Sequence, residues 1–232
     1  MTPTTIKIDI VSDVACPWCY VGKRRLEEAL LLWKETPVVV EWQPFQLDPS
    51  MPREGKFRDD YLVSKFGDLE RTKQMTQTLE EVGKEVGIKF NFGERWLAVN
   101  TLPLHQLLEV AGQEGFKNEL KERFFKAYFE DQIPLNDLSE LTDIVNDFGW
   151  TQEKVSEILN DAEVIETVKS KMTHFQNLGV TGVPFFIINN KYAISGAQPA
   201  QAIVNALRQV SQEQNPAPIG NENHCDVTGE DC

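Results

Sequence analysis

Two cysteines placed between a strand and a helix constrain the fold more than any other feature of this sequence. Residues 6–11 alternate in polarity and are rich in β-branched side chains, which predicts a strand. Cys16-Pro17-Trp18-Cys19 follows after a short loop, and Pro17 suits the first position of a helix, where an N–H has no helical partner. The dipole and free N–H groups of that helix end stabilise a thiolate on Cys16. We therefore predict a redox-active dithiol.

The cysteine pair also has structural interpretations. Cys16 and Cys19 could form half of a zinc site completed by Cys225, Cys232 or His224, or they could be two buried thiols without chemistry. We favour the redox interpretation because a strand precedes the pair and a long amphipathic helix follows it, which is not the context of a zinc knuckle.

Strand-like segments occur near both ends of the chain, with helical periodicity between them. Residues 38–42 predict a second strand after the first helix. From about residue 57 to 178 the apolar residues recur with a period of 3.6, which predicts helices uninterrupted by strands. Strands at 183–188 and 192–195, joined by an Asn-Asn turn, and a helix over 199–210 complete the chain. The expected class is α/β.

Charge and hydropathy exclude several kinds of partner. With 23 Lys and Arg against 36 Asp and Glu, the net charge is −13, which argues against nucleic acids and anionic membranes. No run of about 18 apolar residues and no signal-peptide pattern occurs, so we expect a cytoplasmic protein that does not enter the membrane. Because the cytoplasm is reducing, isomerisation, reduction or repair is more plausible there than net oxidation.

The last segment, residues 212–232, is polar, acidic and contains prolines. This composition predicts a flexible tail. Its two cysteines, Cys225 and Cys232, are expected to act as an auxiliary thiol pair, although metal binding with His224 and an inert tail are alternatives.

A proline at the start of a predicted strand is the second feature that indicates an active site. In Val183-Pro184 the ring cannot donate a sheet hydrogen bond, so proline is tolerated mainly at the first residue of a strand. In combination with the dithiol, it predicts a cis peptide bond that turns an unpaired backbone edge toward Cys16 and Cys19. Such an edge would bind an extended substrate.

The motifs together resemble those of the DsbA-like thiol oxidoreductases of the FrnE type. The similarity extends from Ile6 to Val210 and rests on residues 12–23, 42–47, Asn100-Thr101 followed by His105, 179–184 and 195–198. It implies a thioredoxin fold formed by residues 4–50 and 179–211, a helical insertion domain over 51–178 after the second strand, and the tail. It also implies that Cys16 is the exposed nucleophile, that Cys19 is the resolving thiol and that Val183-Pro184 forms a cis loop.

Roles can also be predicted for other residues in or near these motifs. Trp18 offers only a neutral donor inside the motif, so we expect the Cys16 pKa to be lowered, though not to an extreme value. Core packing is favoured over a peptide groove for the aromatic residues Tyr20, Trp42, Phe45 and Trp96. Structural roles are favoured for His105 and His174. Lys23 and Arg24 are expected to be solvated.

The predicted function is thiol–disulfide exchange with protein or peptide thiols, with glutathione as a further candidate partner. No metal and no organic cofactor is required, and the chain is expected to be a monomer or homodimer. One alternative is a glutathione-dependent enzyme of the kappa-transferase or hydroxychromene-carboxylate isomerase kind. Such enzymes carry Ser at the Cys16 position and usually a charged pair where this chain has Ala197 and Gln198. The other alternative is a metal-binding module that uses both cysteine pairs.

Overall fold

The computed structural model describes residues 5–93 and 96–214. In chain order the elements are β1 (Ile6–Ser12), α1 (Pro17–Leu32), β2 (Val38–Pro44), β3 (Lys56–Phe57), α2 (Arg58–Phe66), α3 (Leu69–Glu85), β4 (Leu97–Ala98), α4 (Leu102–Gln113), α5 (Lys117–Phe129), α6 (Leu138–Asn146), α7 (Gln152–Asn160), α8 (Ala162–Asn177), β5 (Phe185–Ile188), β6 (Tyr192–Ser195) and α9 (Ala200–Gln214). None of these helices has the length and hydropathy that crossing a bilayer requires.

Four strands form the central sheet in the order β2-β1-β5-β6. β1 and β2 are parallel, with Ile6 opposite Val38, and β5 is antiparallel to β1. β5 and β6 form a hairpin whose turn residues, Asn189 and Asn190, have φ angles of 51° and 55°. Two positive φ angles are what a tight hairpin turn of the primed type requires, and asparagine tolerates them. The Asn-Asn turn predicted from the sequence is confirmed.

Helices cover both faces of this sheet. Ile6, Ile8 and Ile10 share one face of β1 and pack in a buried cluster with residues of α1 and α9. Val11 points to the opposite face and packs with Phe175 of α8. This alternation follows from the two-residue period of a strand. Helix α8, which the sequence places in the insertion, therefore also serves as a layer of the sheet domain.

The helices inserted after β2 share a core with the start of α1. Tyr20 of α1 stacks on Phe125 of α5, with ring centroids 5.0 Å apart. Cys16 and Cys19 belong to the same buried cluster. The fold is thus the predicted thioredoxin fold with a large helical insertion after the second strand.

Two details differ from the sequence prediction. The insertion contains a short two-stranded sheet, in which Lys56 of β3 pairs with Ala98 of β4, because a loop before α4 folds back on the start of α2. Helix α9 continues to Gln214, so the first residues assigned to the tail are helical. The domain limits at 50/51 and 178/179 stay predictions.

Candidate active site

The two cysteines occupy the first turn of α1. Cys16 is the N-cap residue, with an extended backbone (φ −97°, ψ 109°), and its side chain accepts no capping hydrogen bond. Pro17 follows in the first turn, as predicted, and the N–H of Cys19 donates to the carbonyl of Cys16 at 3.0 Å. Both thiols are free. The helix start therefore leaves its positive end available to the sulfur atoms.

The loop before β5 lies directly against the dithiol. The Sγ atom of Cys16 donates to the carbonyl oxygen of Val183 at 3.5 Å. The Val183-Pro184 peptide bond is cis, which confirms the prediction. A Cβ atom built on Gly22 would lie 3.0 Å from Cγ of Pro184, so the second turn of α1 and this loop are in close contact.

An apolar groove opens in front of Cys16. It has a volume of about 420 Å³, and its lining includes Cys16, Trp18, Leu62, Phe66, Met75, Trp96 and Val183. Cys16 is only 4% exposed and Cys19 1% exposed, so the expectation of an exposed Cys16 is wrong. The Val183 carbonyl lies against the Cys16 sulfur, and α2 and α3 of the insertion form the far wall of the groove. Cys16 lines the floor of that groove, whereas Cys19 lies behind it.

A buried acid and a buried histidine lie behind the dithiol. Asp13 accepts a hydrogen bond from the Leu47 N–H at 2.7 Å, and Nε2 of His105 donates to the Phe45 carbonyl at 2.8 Å. The same Nε2 lies 3.4 Å from Asp13 Oδ1. Burial lowers the His105 pKa despite the nearby carboxylate. Although burial opposes ionisation, hydrogen bonds from His105, Leu47 and Thr101 hold the pKa of Asp13 below its usual value. The pair is therefore a carboxylate beside a neutral imidazole.

The environment of the two thiols reverses the expected order of their acidity. The hydrogen bond that Cys16 shares with Cys19, together with burial, raises the pKa of Cys16. Burial also opposes ionisation of Cys19, but hydrogen bonds from Cys16 and Ser12 and the positive charge of Lys121 lower its pKa. The prediction of a lowered Cys16 pKa is wrong for this dithiol, because the stabilising groups face Cys19.

The remaining residues singled out from the sequence divide between core and site. Tyr20, Trp42 and Phe45 are buried in the core, as favoured, whereas Trp96 also lines the apolar groove. The expectation of solvated basic side chains is wrong for Lys23, which is 3% exposed and pairs with Glu122 at 2.7 Å.

Arg24 joins the same ion-pair network. It is partly buried and pairs with Glu27 at 2.9 Å and with Glu122. His174 is exposed on α8 and contacts the ring of Phe175. Cys225 and Cys232 lie outside the described residues. Within residues 5–93 and 96–214, no three His, Cys, Asp or Glu side chains are grouped so that they could hold a metal ion.

Sequence reasoning missed most of the rear of the site. Ser12 is the last residue of β1 and Asp13 follows it, so both are polar residues at the carboxyl end of the first strand, which is a usable signal. Lys121 stands four residues before Phe125 and seven before Tyr128, on the apolar face of its helix. A lysine on such a face was the second available signal.

Comparisons with known proteins agree with this geometry. The uncharacterized protein YwbO of Bacillus subtilis (strain 168) is 26% identical over 212 residues, which cover 88% of this chain and 96% of that protein. The probable DsbA oxidoreductase of Streptomyces coelicolor has 31% identity and a TM-score of 0.84, with 96% of this chain and 97% of that one covered.

More distant structures share the fold alone. A 2-hydroxychromene-2-carboxylate isomerase has 14% identity and a TM-score of 0.68, and the similarity covers 90% of this chain and 97% of the isomerase. Residues 7–208 match the description "DSBA-like thioredoxin domain". Since that match covers most of the sequence, the chain belongs to the DSBA-like thioredoxin domain family.

Proposed function

We propose that this protein is a thiol–disulfide oxidoreductase or isomerase of the FrnE type that acts on protein or peptide thiols through Cys16 and Cys19. The observation that carries the proposal is the position of Cys16. Its sulfur lies at the floor of an apolar groove, 3.5 Å from the Val183 carbonyl, with Cys19 on the side away from the groove. A substrate sulfur entering the groove meets Cys16 first.

The first chemical step is opening of the Cys16–Cys19 disulfide. A substrate thiolate attacks Sγ of Cys16 in line with the S–S bond, a new bond joins substrate sulfur to Cys16, and the electron pair of the broken bond leaves on Cys19. The lowered pKa of Cys19 makes it a good leaving group.

The second step releases the substrate. A second substrate thiolate attacks the substrate sulfur of the mixed disulfide, and Cys16 leaves with the electron pair. Two electrons then reside on the enzyme dithiol, and a small disulfide such as oxidised glutathione accepts them by the same exchange. In isomerisation the reduced dithiol starts the cycle: Cys16 attacks a substrate disulfide as its proton passes to the Cys19 thiolate, another substrate thiolate later releases Cys16, and no net electron transfer occurs.

The groove indicates which substrates fit. Its wall presents Leu62, Phe66 and Met75, so it suits an extended segment with apolar side chains beside its cysteine. Folded proteins bury such segments, whereas unfolded or partly folded ones expose them. We therefore propose incompletely folded proteins and peptides as the substrate class.

Assays of two single-sulfur variants test the proposal. Cys16→Ser should abolish both insulin reduction and oxidation of a reduced unfolded protein, because the attacked sulfur is lost. Cys19→Ser should accumulate a mixed disulfide on Cys16, because the internal resolving thiol is lost. Wild-type activity in Cys16→Ser would contradict the proposal, as would equal trapping by both variants.

Other assignments stay predictions. Glutathione-dependent turnover of a small molecule by wild-type protein would favour the isomerase or transferase alternative. Stoichiometric zinc in purified protein would favour the metal-binding alternative. The cytoplasmic location, the monomeric or dimeric state and an auxiliary role for Cys225 and Cys232 are proposed on sequence grounds only.

A further inference from the structure

Lys121 is a buried lysine behind the dithiol. Its side chain is 1% exposed, and its ammonium group lies 4.9 Å from the ring centre of Phe125 and 5.6 Å from that of Trp42. Lys121 forms no ion pair with any of the described residues. Lys23, which is similarly buried, pairs with the carboxylates of Glu27 and Glu122. A buried charge without an ion-pair partner is costly to the folded state, so its presence behind the dithiol calls for an explanation.

A small cavity gives the ammonium group room for about one water molecule. This rear cavity has a volume of about 10 Å³, and its lining includes Trp42, Pro44, His105, Leu108, Lys117 and Lys121. It adjoins a surface cleft of about 470 Å³, because Trp42, Gln43, Glu109 and Lys117 line both. Lys121 thus lines a small cavity on the side of the dithiol away from the apolar groove.

Packing places Lys121 beside the dithiol: its ammonium group lies over the ring of Phe125, and that ring stacks on Tyr20, the residue after Cys19, in the buried cluster that also contains Cys19. Burial lowers the pKa of Lys121 to about 8, while Cys19, Asp13 and Cys16 oppose that shift through their negative charge. The titratable and charged groups that face it from the packed elements are Cys16 and Cys19 of α1, Asp13 of the preceding loop, His105 and Glu109 of α4, and Lys117 of its own helix. Glu109 is engaged by Lys117 and Lys171, and His105 is neutral. The charge that appears during exchange is the Cys19 thiolate.

We propose that Lys121 supplies the countercharge for the thiolate released on Cys19 when the disulfide opens. The inference rests on the proposed function, since it assumes that Cys16–Cys19 opens and closes. No bond is made or broken at Lys121. It remains an ammonium ion, hydrated from the rear cavity, and stabilises the dithiol form relative to the disulfide form. Lys121 is therefore a positioning residue: it acts through its charge on Cys19 and does not contact the substrate.

The test compares three lysine variants in redox equilibrium with glutathione. Lys121→Met removes the charge but keeps the length of the side chain, Lys121→Arg keeps the charge, and Lys23→Met removes an equally buried charge that is ion-paired elsewhere. For each protein we would measure the first macroscopic pKa of the thiol pair by thiolate absorbance, the glutathione equilibrium constant and the melting temperature.

Lys121→Met should raise the first thiol pKa by about one unit and shift the glutathione equilibrium about tenfold toward the disulfide, which corresponds to about 30 mV. Its melting temperature should not fall, because an unpaired buried charge is lost. Lys121→Arg should restore the pKa and the equilibrium. Lys23→Met should lower the melting temperature without moving the equilibrium.

Wild-type thiol pKa and equilibrium in Lys121→Met would overturn the inference. So would equal shifts in Lys121→Met and Lys121→Arg, which would indicate packing instead of charge. If Lys121→Met does not fold, Lys121→Gln, which also removes the charge, replaces it in the same three measurements. Failure of the wild-type pair to equilibrate with glutathione at all would instead refute the proposed function.

Discussion

The two sides of the dithiol, the groove side in front of Cys16 and the buried side behind Cys19, differ in polarity and charge. In front of Cys16 lies the apolar groove, whose wall is formed by α2 and α3. Behind Cys19 lie Ser12, Asp13, His105 and Lys121, all buried and all polar or charged. For the proposed exchange reaction, this difference implies separate roles. The front would select which substrates reach the Cys16 sulfur, and the rear would set how easily the Cys16–Cys19 bond opens.

A groove variant should produce the largest effect that separates the two sides. Met75 lines the groove and is 37% exposed, so Met75→Gln places an amide where an apolar peptide side chain would bind. Leaving that amide partly desolvated costs about 1.4 kcal/mol, so KM for a peptide disulfide should rise about tenfold. The glutathione equilibrium constant should not change.

The matched control for this variant is Leu31→Gln. Leu31 is 72% exposed on α1 and does not line the groove among the described residues. It should leave KM unchanged. A shift of the glutathione equilibrium in Met75→Gln would show that the front also sets the redox balance and would break the comparison.

Acid should weaken the folded state through the rear of the site. Because the pKa of buried His105 is lowered in the folded state, the unfolded chain binds the proton first as the pH falls below about 6.5. Stability is therefore present above that pH and is lost below it, with a slope of up to about 1.4 kcal/mol per pH unit. Urea unfolding from about pH 7 down to about pH 5 measures this slope.

His105→Gln isolates the contribution of that imidazole. The amide can still donate to the Phe45 carbonyl but does not titrate, so the slope should become smaller. The control is His174→Gln, since His174 is exposed. An equal slope in His105→Gln and wild type would mean that the buried imidazole is not responsible.

The smallest expected effect concerns the contact between α1 and the loop before β5. In Gly22→Ala the new methyl group would lie 3.0 Å from Pro184 Cγ and 3.4 Å from the Phe186 ring, so the loop must move by a few tenths of an ångström. Overpacking costs about 1–3 kcal/mol, which is more than the roughly 1 kcal/mol that alanine gains over glycine inside a helix, so we expect a net loss of about 1 kcal/mol in unfolding free energy. Gly182→Ala is the control, because nothing lies within 4 Å of its Cβ position. Equal stability of the two variants would contradict this.

The features that the sequence predicted correctly are local ones. The start of α1 at Pro17, the Asn189-Asn190 turn and the succession of the four sheet strands along the chain follow from neighbouring residues and their period. The exposure of Cys16 did not follow, because residues of α2 and α3 far along the chain determine it. The acidity of Cys19 depends on Lys121, about a hundred residues away, and no local rule connects the two.

The shared core has a consequence for how much of this chain can fold by itself. Val14, Tyr20 and Val21 belong to the sheet domain, in the loop after β1 and in α1. Their side chains are nevertheless buried in one cluster with Phe124 and Phe125 of the insertion. Excising the helices and joining the ends would leave these side chains facing water, and the loss of their burial would cost several kcal/mol. The sheet domain is therefore not expected to fold stably without the inserted helices. A shortened protein without the inserted helices would lack the core residues, such as Phe124 and Phe125, that share a buried cluster with Cys16 and Cys19.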